Sequence, residues 1–223
     1  MHIEPGVVTG AKLLLSYATA AGSLGFAAKL AWDEVKTRGL PSLAARTAIS
    51  TAAVFVFFEV LPHMPVGVSE VHLILGSSLL LILGAAPAAL GLALGLLVQG
   101  LFFAPFDLPQ YGMNVTTLLV PLFALAEVAR RTIPRGTAYV DLAYAQVLKL
   151  SLTYQGGVVA WVAFWAIYGQ GFSNLAGAVT FGLAYMTVVI VEPLIDLTLL
   201  AGAKTMKGLK GSALVTPRLY SAA

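Results

Sequence analysis

The sequence predicts an all-α polytopic membrane helix bundle of about seven transmembrane helices. The prediction rests on apolar content, scarcity of charge and the spacing of the apolar runs. Of the 223 residues, 59% are hydrophobic and 10% are charged, and the mean hydropathy is +0.89. A soluble domain carries about 25% charged residues, so this chain has too little polar surface to cover a globule, and disorder and coiled coil are excluded by the same figures. A span takes ~20 mostly apolar residues, which leaves no room for a soluble catalytic domain. Cysteine is absent, which removes disulfides, thiolate metal sites and cysteine nucleophiles.

In chain order, the apolar runs place spans over residues 8–32, 43–62, 71–86, 87–104, 114–129, 150–169 and 174–201. The third and fourth are separated by Gly84-Ala85-Ala86-Pro87, which reads as a tight helical hairpin. The seventh contains Glu192, Pro193 and Asp196 and is expected to kink there or to end as an interfacial segment. Residues 1–201 form one transmembrane domain, and residues 202–223 a basic cytoplasmic tail. No basic stretch precedes the first apolar run, so no cleaved signal is expected and the mature chain is expected to start at Met1.

Orientation follows from the basic residues. Twelve of the thirteen Lys and Arg lie around the first connection, around the fifth-to-sixth connection or in the tail, and Lys12 is the exception. Positive residues mark the cytoplasmic side, so the N-terminus is expected outside and the C-terminus inside. The opposite segments hold Glu4, Glu70 and Asp107 without a Lys or Arg, and all three histidines (His2, His63 and His72) lie on or near that face. An acidic outer mouth suits the attraction of a cation.

His2 adjoins the chain terminus. A free α-amine, the deprotonated amide nitrogen of residue 2 and its imidazole Nδ1 can close two fused chelate rings on one metal, leaving one corner of a square open. Such planar nitrogen sites suit Ni(II), Cu(II) and low-spin Co(II). The plain alternative is an exposed terminal histidine. His72 opens an apolar run, where an ionisable group marks a functional site or an interfacial residue satisfied by a carbonyl. His63, between Pro62 and Pro65, reads as a surface residue. Gln99 and Asn114 are amides in apolar spans that brace a site or join helices. Glu192 and Asp196 share one helix face, towards the cytoplasmic half, where they form a proton relay or pair with a basic residue; pairing is the expectation, because this half is rich in Lys and Arg. In the first span Ala18, Ala21, Gly22, Gly25 and Ala28 form a small-residue strip that admits a neighbouring helix, from its own bundle or from a partner.

Taken together, Met1-His2-Ile3, Gly6, Ser69-Glu70-Val71-His72-Leu73 leading into Gly76 and Gly84, and Gln99, Phe103 and Gly112-Met113-Asn114 resemble the CbiM/NikM family. These are the substrate-binding membrane components (S-components) of energy-coupling-factor cobalt and nickel transporters, and the resemblance runs from residue 1 to about residue 201. It implies a seven-helix component with the N-terminus inserted into the bundle. The metal would be held by the Met1 amine, by the amide nitrogen and imidazole of His2, and by His72 at the start of a later helix. Asn114 would support the site, with Ser69 and Glu70 beside it. Two departures stand out: Pro5 takes the place of an acid before Gly6, and Glu70-Val71 replace Ser-Gly ahead of the histidine. The resemblance also implies a transmembrane coupling subunit, two cytoplasmic ATPase subunits and a small accessory membrane subunit, with docking on the face of Ala18, Gly22 and Gly25.

The function expected is import of cobalt or nickel for cobalamin biosynthesis across the bacterial cytoplasmic membrane, with no permanent cofactor and no nucleic-acid partner. The chain is expected not to be an enzyme. Gly208-Leu209-Lys210-Gly211-Ser212 lacks the spacing of a phosphate-binding loop, and no His-Glu-x-x-His helix is present. The competing reading is an S-component or stand-alone permease for an organic vitamin, with Trp161, Trp165 and Tyr168 stacking on the ligand or anchoring the interface.

Overall fold

The structure, a computed structural model, describes residues 3–205. Helix α1 (Leu13–Arg38) follows a short 3-10 turn, and α2 (Leu40–Phe55) passes into a π-helical turn at Val56–Val60. A hairpin of β1 (Met64–Val66) and β2 (Ser69–Val71) comes next, then α3 (Gly76–Leu83), α4 (Ala85–Phe102) and α5 (Tyr111–Thr132). The chain closes with α6 (Tyr144–Gln170) and α7 (Leu175–Thr205). Among the described residues, five helical stretches are long and apolar enough to cross a membrane, and the last, Tyr144–Thr205, contains both α6 and α7.

The third expected span is corrected. Residues 71–75 are not helical, and α3 has only 8 residues. At 1.5 Å per residue that is about 12 Å, against ~30 Å of hydrocarbon. All of α3 except Ile82 is buried, enclosed by α4, α5, α6 and α7. It reads as a span because a buried half-helix is as apolar as a crossing one. The junction after it matches expectation: Gly84 takes φ +101°, a left-handed region open to glycine, and α4 begins at the next residue. The seventh helix extends past the expected end at residue 201. It runs through Pro193 to Thr205 without a break, so the first residues of the expected tail are helical, and residues 206–223 lie outside the described residues.

Helix α2 packs tightly against α4. A Cβ on Gly91 would lie 2.0 Å from Ser50 Oγ, and one on Gly95 would lie 2.5 Å from Val54 Cγ1. These glycines, four apart, let the two backbones approach where side chains would hold them off. Helix α1 buries Ser16, Ala20, Ser23 and Ala27. Its Ala18, Gly22 and Gly25 are exposed on the outward side, with open space around both glycines. The strip therefore does not pack within its own bundle.

Two cations satisfy helix ends. Arg46, only 8% exposed, donates from Nη1 to Leu83 O at 2.7 Å and from Nη2 to Glu34, so one guanidinium joins α1, α2 and the last carbonyl of α3. Lys12, the lone basic residue on the acidic side among the described residues, donates to Gly169 O at 2.8 Å and meets the carbonyl end of α6.

The α2–α4 contact predicts a contrast. Gly91→Val should lower stability by about 1–3 kcal/mol through overpacking, read as a lower Tm in detergent. Gly22→Ala, in open space, should leave Tm unchanged or slightly raised.

Candidate metal centre

The site is built from the first residues outward. Ile3, fully buried, forms an antiparallel bridge with Ser69 of β2 and donates its N–H to Asn114 Oδ1 at 2.7 Å. The Glu4 N–H donates to Val68 O at 3.1 Å, so the N-terminal segment lies along the hairpin like a third strand. A turn then reverses it: Pro5 and Gly6 occupy the centre, Gly6 takes φ +91°, and Val7 N–H donates to Glu4 O at 3.1 Å. Pro followed by a left-handed Gly is the pattern of a type II turn, which gives a physical reason for Pro5 at that position. Val7 and Val8 follow into the core.

Past β2 the chain runs irregularly from His72 to Leu75. His72 is 2% exposed, and its ring lies 4.4 Å from the Phe58 ring, centroid to centroid. Its Nδ1 lies 2.9 Å from Leu73 O. His72 does not start a helix as the resemblance implied: α3 begins four residues later, after Leu75 at φ 55° and ψ 33°. A non-glycine residue there costs of order 1–3 kcal/mol and persists only where its surroundings hold it.

Those surroundings are polar and buried. Glu192 accepts from Ile74 N–H and from Gln155 Nε2, and Gln155 Oε1 accepts from the Tyr185 hydroxyl at 2.6 Å. Asp196 accepts from Ser77 Oγ at 2.5 Å and from Ser78 Oγ, at the first turn of α3. The expected pairing of Glu192 and Asp196 with a basic residue is therefore corrected. Their hydrogen bonds go to neutral donors of α3, α6 and the irregular segment, and Glu192 lies level with Ile74 rather than near the basic end. Polar residues in apolar spans signalled this network, but only the fold shows which of them meet.

Asn114 sits in the first turn of α5, 1% exposed. Gln99 instead joins α4 to the π-helical turn, donating to Glu59 Oε2 at 3.1 Å. Ser69 is fully buried. Glu70 reaches His63 Nε2 at 3.8 Å, a pairing the sequence reading did not foresee. Burial, and then the charge of Glu70, raise the Glu4 carboxyl above its ordinary 4.5. Both Glu70 and Glu4 also act on Asp107, so the three carboxylates expected at the outer mouth form one neighbourhood. Among the described residues, no three His, Asp or Glu side chains lie close enough to hold a metal ion. Met1 and His2 lie outside the described residues.

The cavity bordered by Asn114, Asp107 and Tyr111 has a volume of about 10 Å³, room for about one water. The expected aromatic group fills itself: Trp165 is fully buried and meets Trp161 edge-on at 6.5 Å, and Trp161 Nε1 donates to Thr116 Oγ1 at 3.2 Å.

Two mutational outcomes follow. Asn114→Ala orphans the Ile3 N–H and should cost about 1–3 kcal/mol, seen as faster amide exchange at Ile3, whereas Asn114→Asp keeps an acceptor and should exchange more slowly than the Ala variant. Because the folded Glu4 carboxyl is raised, its contribution favours the seated segment below about pH 4.5 and fades as pH climbs through the raised value. Exchange protection of residues 3–8 should fall over that window, and Glu4→Gln should flatten the dependence.

Comparison with known proteins agrees with this architecture. The family model described as "Cobalt uptake substrate-specific transmembrane region" (CbiM) matches residues 2–207. A crystal structure of a transition metal transporter is similar at TM-score 0.68 and 18% identity, covering 96% of this chain and 96% of that one. A truncated transition metal transporter is similar at TM-score 0.67 and 19% identity, covering 95% and 99%. No curated protein matches the sequence.

Proposed function

The chain belongs to the CbiM family of cobalt-uptake substrate-specific transmembrane regions, and on that premise we propose that it is the metal-binding S-component of an energy-coupling-factor importer for Co(II) or Ni(II). It is a multi-pass membrane protein and a transporter component, not an enzyme. The proposed setting is a bacterial cytoplasmic membrane, with the N-terminus outside, the C-terminus inside and cobalt supply to cobalamin biosynthesis as the purpose.

The observation that carries the proposal is the seat of Ile3, hydrogen-bonded to Asn114 and bridged to Ser69, three residues ahead of His72. Consecutive Cα atoms are about 3.8 Å apart, so fixing Ile3 limits how far the terminus can lie from this point. The ligand set is the one the resemblance implies: His72, buried beside this seat, with the Met1 amine, the His2 amide nitrogen and the His2 imidazole. Asn114 supports the site by anchoring Ile3. With Nδ1 engaged by a carbonyl, Nε2 carries the lone pair and is the donor of His72. Glu4, Glu70 and Asp107 draw the cation in.

Transport energy comes from partners: two cytoplasmic ATPase subunits, a transmembrane coupling subunit that packs on Ala18, Gly22 and Gly25 of α1, and a small accessory membrane subunit. The outward exposure of those three residues supports this docking face.

Calorimetric titration of chelator-stripped protein with Co(II) and Ni(II) tests the reading. Tight one-to-one binding is expected, lost when one residue is added ahead of Met1 and lost in His72→Ala. It should also weaken on acidification, because imidazole and amide must be deprotonated to bind. Binding indifferent to both changes would remove the site from the terminus, and no binding of either metal would favour an organic substrate.

A further inference from the structure

The peptide group between Leu73 and Ile74 is engaged at both ends. Its oxygen lies 2.9 Å from His72 Nδ1, and its N–H donates to Glu192 Oε1. A carbonyl oxygen only accepts, so the first contact requires the ring proton on Nδ1 and leaves the lone pair on Nε2. Glu192 is itself held in place, because its other oxygen accepts from Gln155 Nε2 and Gln155 accepts from Tyr185. Ile74, Gln155, Tyr185 and Glu192 are all fully buried.

We infer that Glu192 is a positioning residue for the metal histidine, fixing the tautomer and orientation of His72 through this single shared peptide group. The inference rests on the reading of His72 as a metal ligand. Metal-binding histidines commonly donate their second ring nitrogen to a carboxylate or a carbonyl, which sets the tautomer and raises ligand basicity. Here the two partners act in series. Acceptance of the Ile74 N–H by Glu192 polarises the peptide and makes Leu73 O the stronger acceptor for Nδ1–H. The same bond holds the irregular segment so that its carbonyl faces the ring. A residue serving only to satisfy the buried Ile74 N–H would leave the His72 proton where it is when replaced. A positioning residue would not.

The test uses the full chain in detergent with ¹⁵N-labelled histidine, free of metal, at about pH 8.5, where an ordinary imidazole of pKa ~6.5 is neutral. His72 is assigned by comparison with His72→Ala. The native chain should show the proton on Nδ1. Glu192→Met, of similar length but without an acceptor, should show a mixture of tautomers and bind Co(II) ~10–100-fold more weakly. Glu192→Gln retains an oxygen for the Ile74 N–H and should keep the native tautomer. A native His72 with its proton on Nε2 overturns the inference without recourse to any variant, so misfolding of the Met variant does not shield it. An unchanged tautomer in folded Glu192→Met also overturns it, and leaves the metal reading intact. Undiminished Co(II) binding in His72→Ala would sink the metal reading instead, while the tautomer result would still stand.

Discussion

The non-helical stretch from His72 to Leu75 runs through an apolar bundle, and its backbone groups must be paired without water. This constraint organises the centre of the molecule. Within a membrane only helices satisfy their own backbone, and irregular segments persist where side chains or cavities complete them. Glu192 takes the Ile74 N–H, and the left-handed Leu75 ends the irregular run. Asp196 receives the hydroxyls of Ser77 and Ser78 in the first turn of α3. Helices α6 and α7 are arranged so that Gln155, Tyr185 and both carboxyl side chains meet at that break.

The N-terminal segment uses the same economy of partners. A two-stranded hairpin is marginal alone, but Ile3 and Glu4 add bonds to β2 and to the turn, and Asn114 takes the donor that would otherwise be orphaned. Charge is distributed to match. The acidic side of the bundle carries the hairpin, the N-terminal segment and the carboxylate neighbourhood. On the other side Arg46 closes the last turn of the half-helix α3. A carboxylate neighbourhood on one side and a basic far end are two consequences of one asymmetry in the sequence.

Much of this was legible before any fold was known. Composition alone placed the chain in a membrane, the Gly84 junction was visible as a breaker, and His72 stood out as an ionisable group in an apolar run. The shortness of α3 was not legible, because hydropathy reports burial and cannot tell a helix buried in protein from one crossing lipid. Nor was the role of Glu192: a residue near basic tail segments in sequence was expected to pair with them, whereas α7 carries it level with Ile74.

By itself the sequence determined the class of the molecule, the asymmetry of charge between its two ends and the short set of residue types able to meet a metal. These depend on transfer of each side chain out of water, a property summed along the chain without regard to partners. The tertiary structure alone decided which polar groups meet: Ile3 with Asn114, and Glu192 with the peptide beside His72. Hydrogen bonds are short and directional, and partners more than a hundred residues apart are brought together only by the packing of the helices between them.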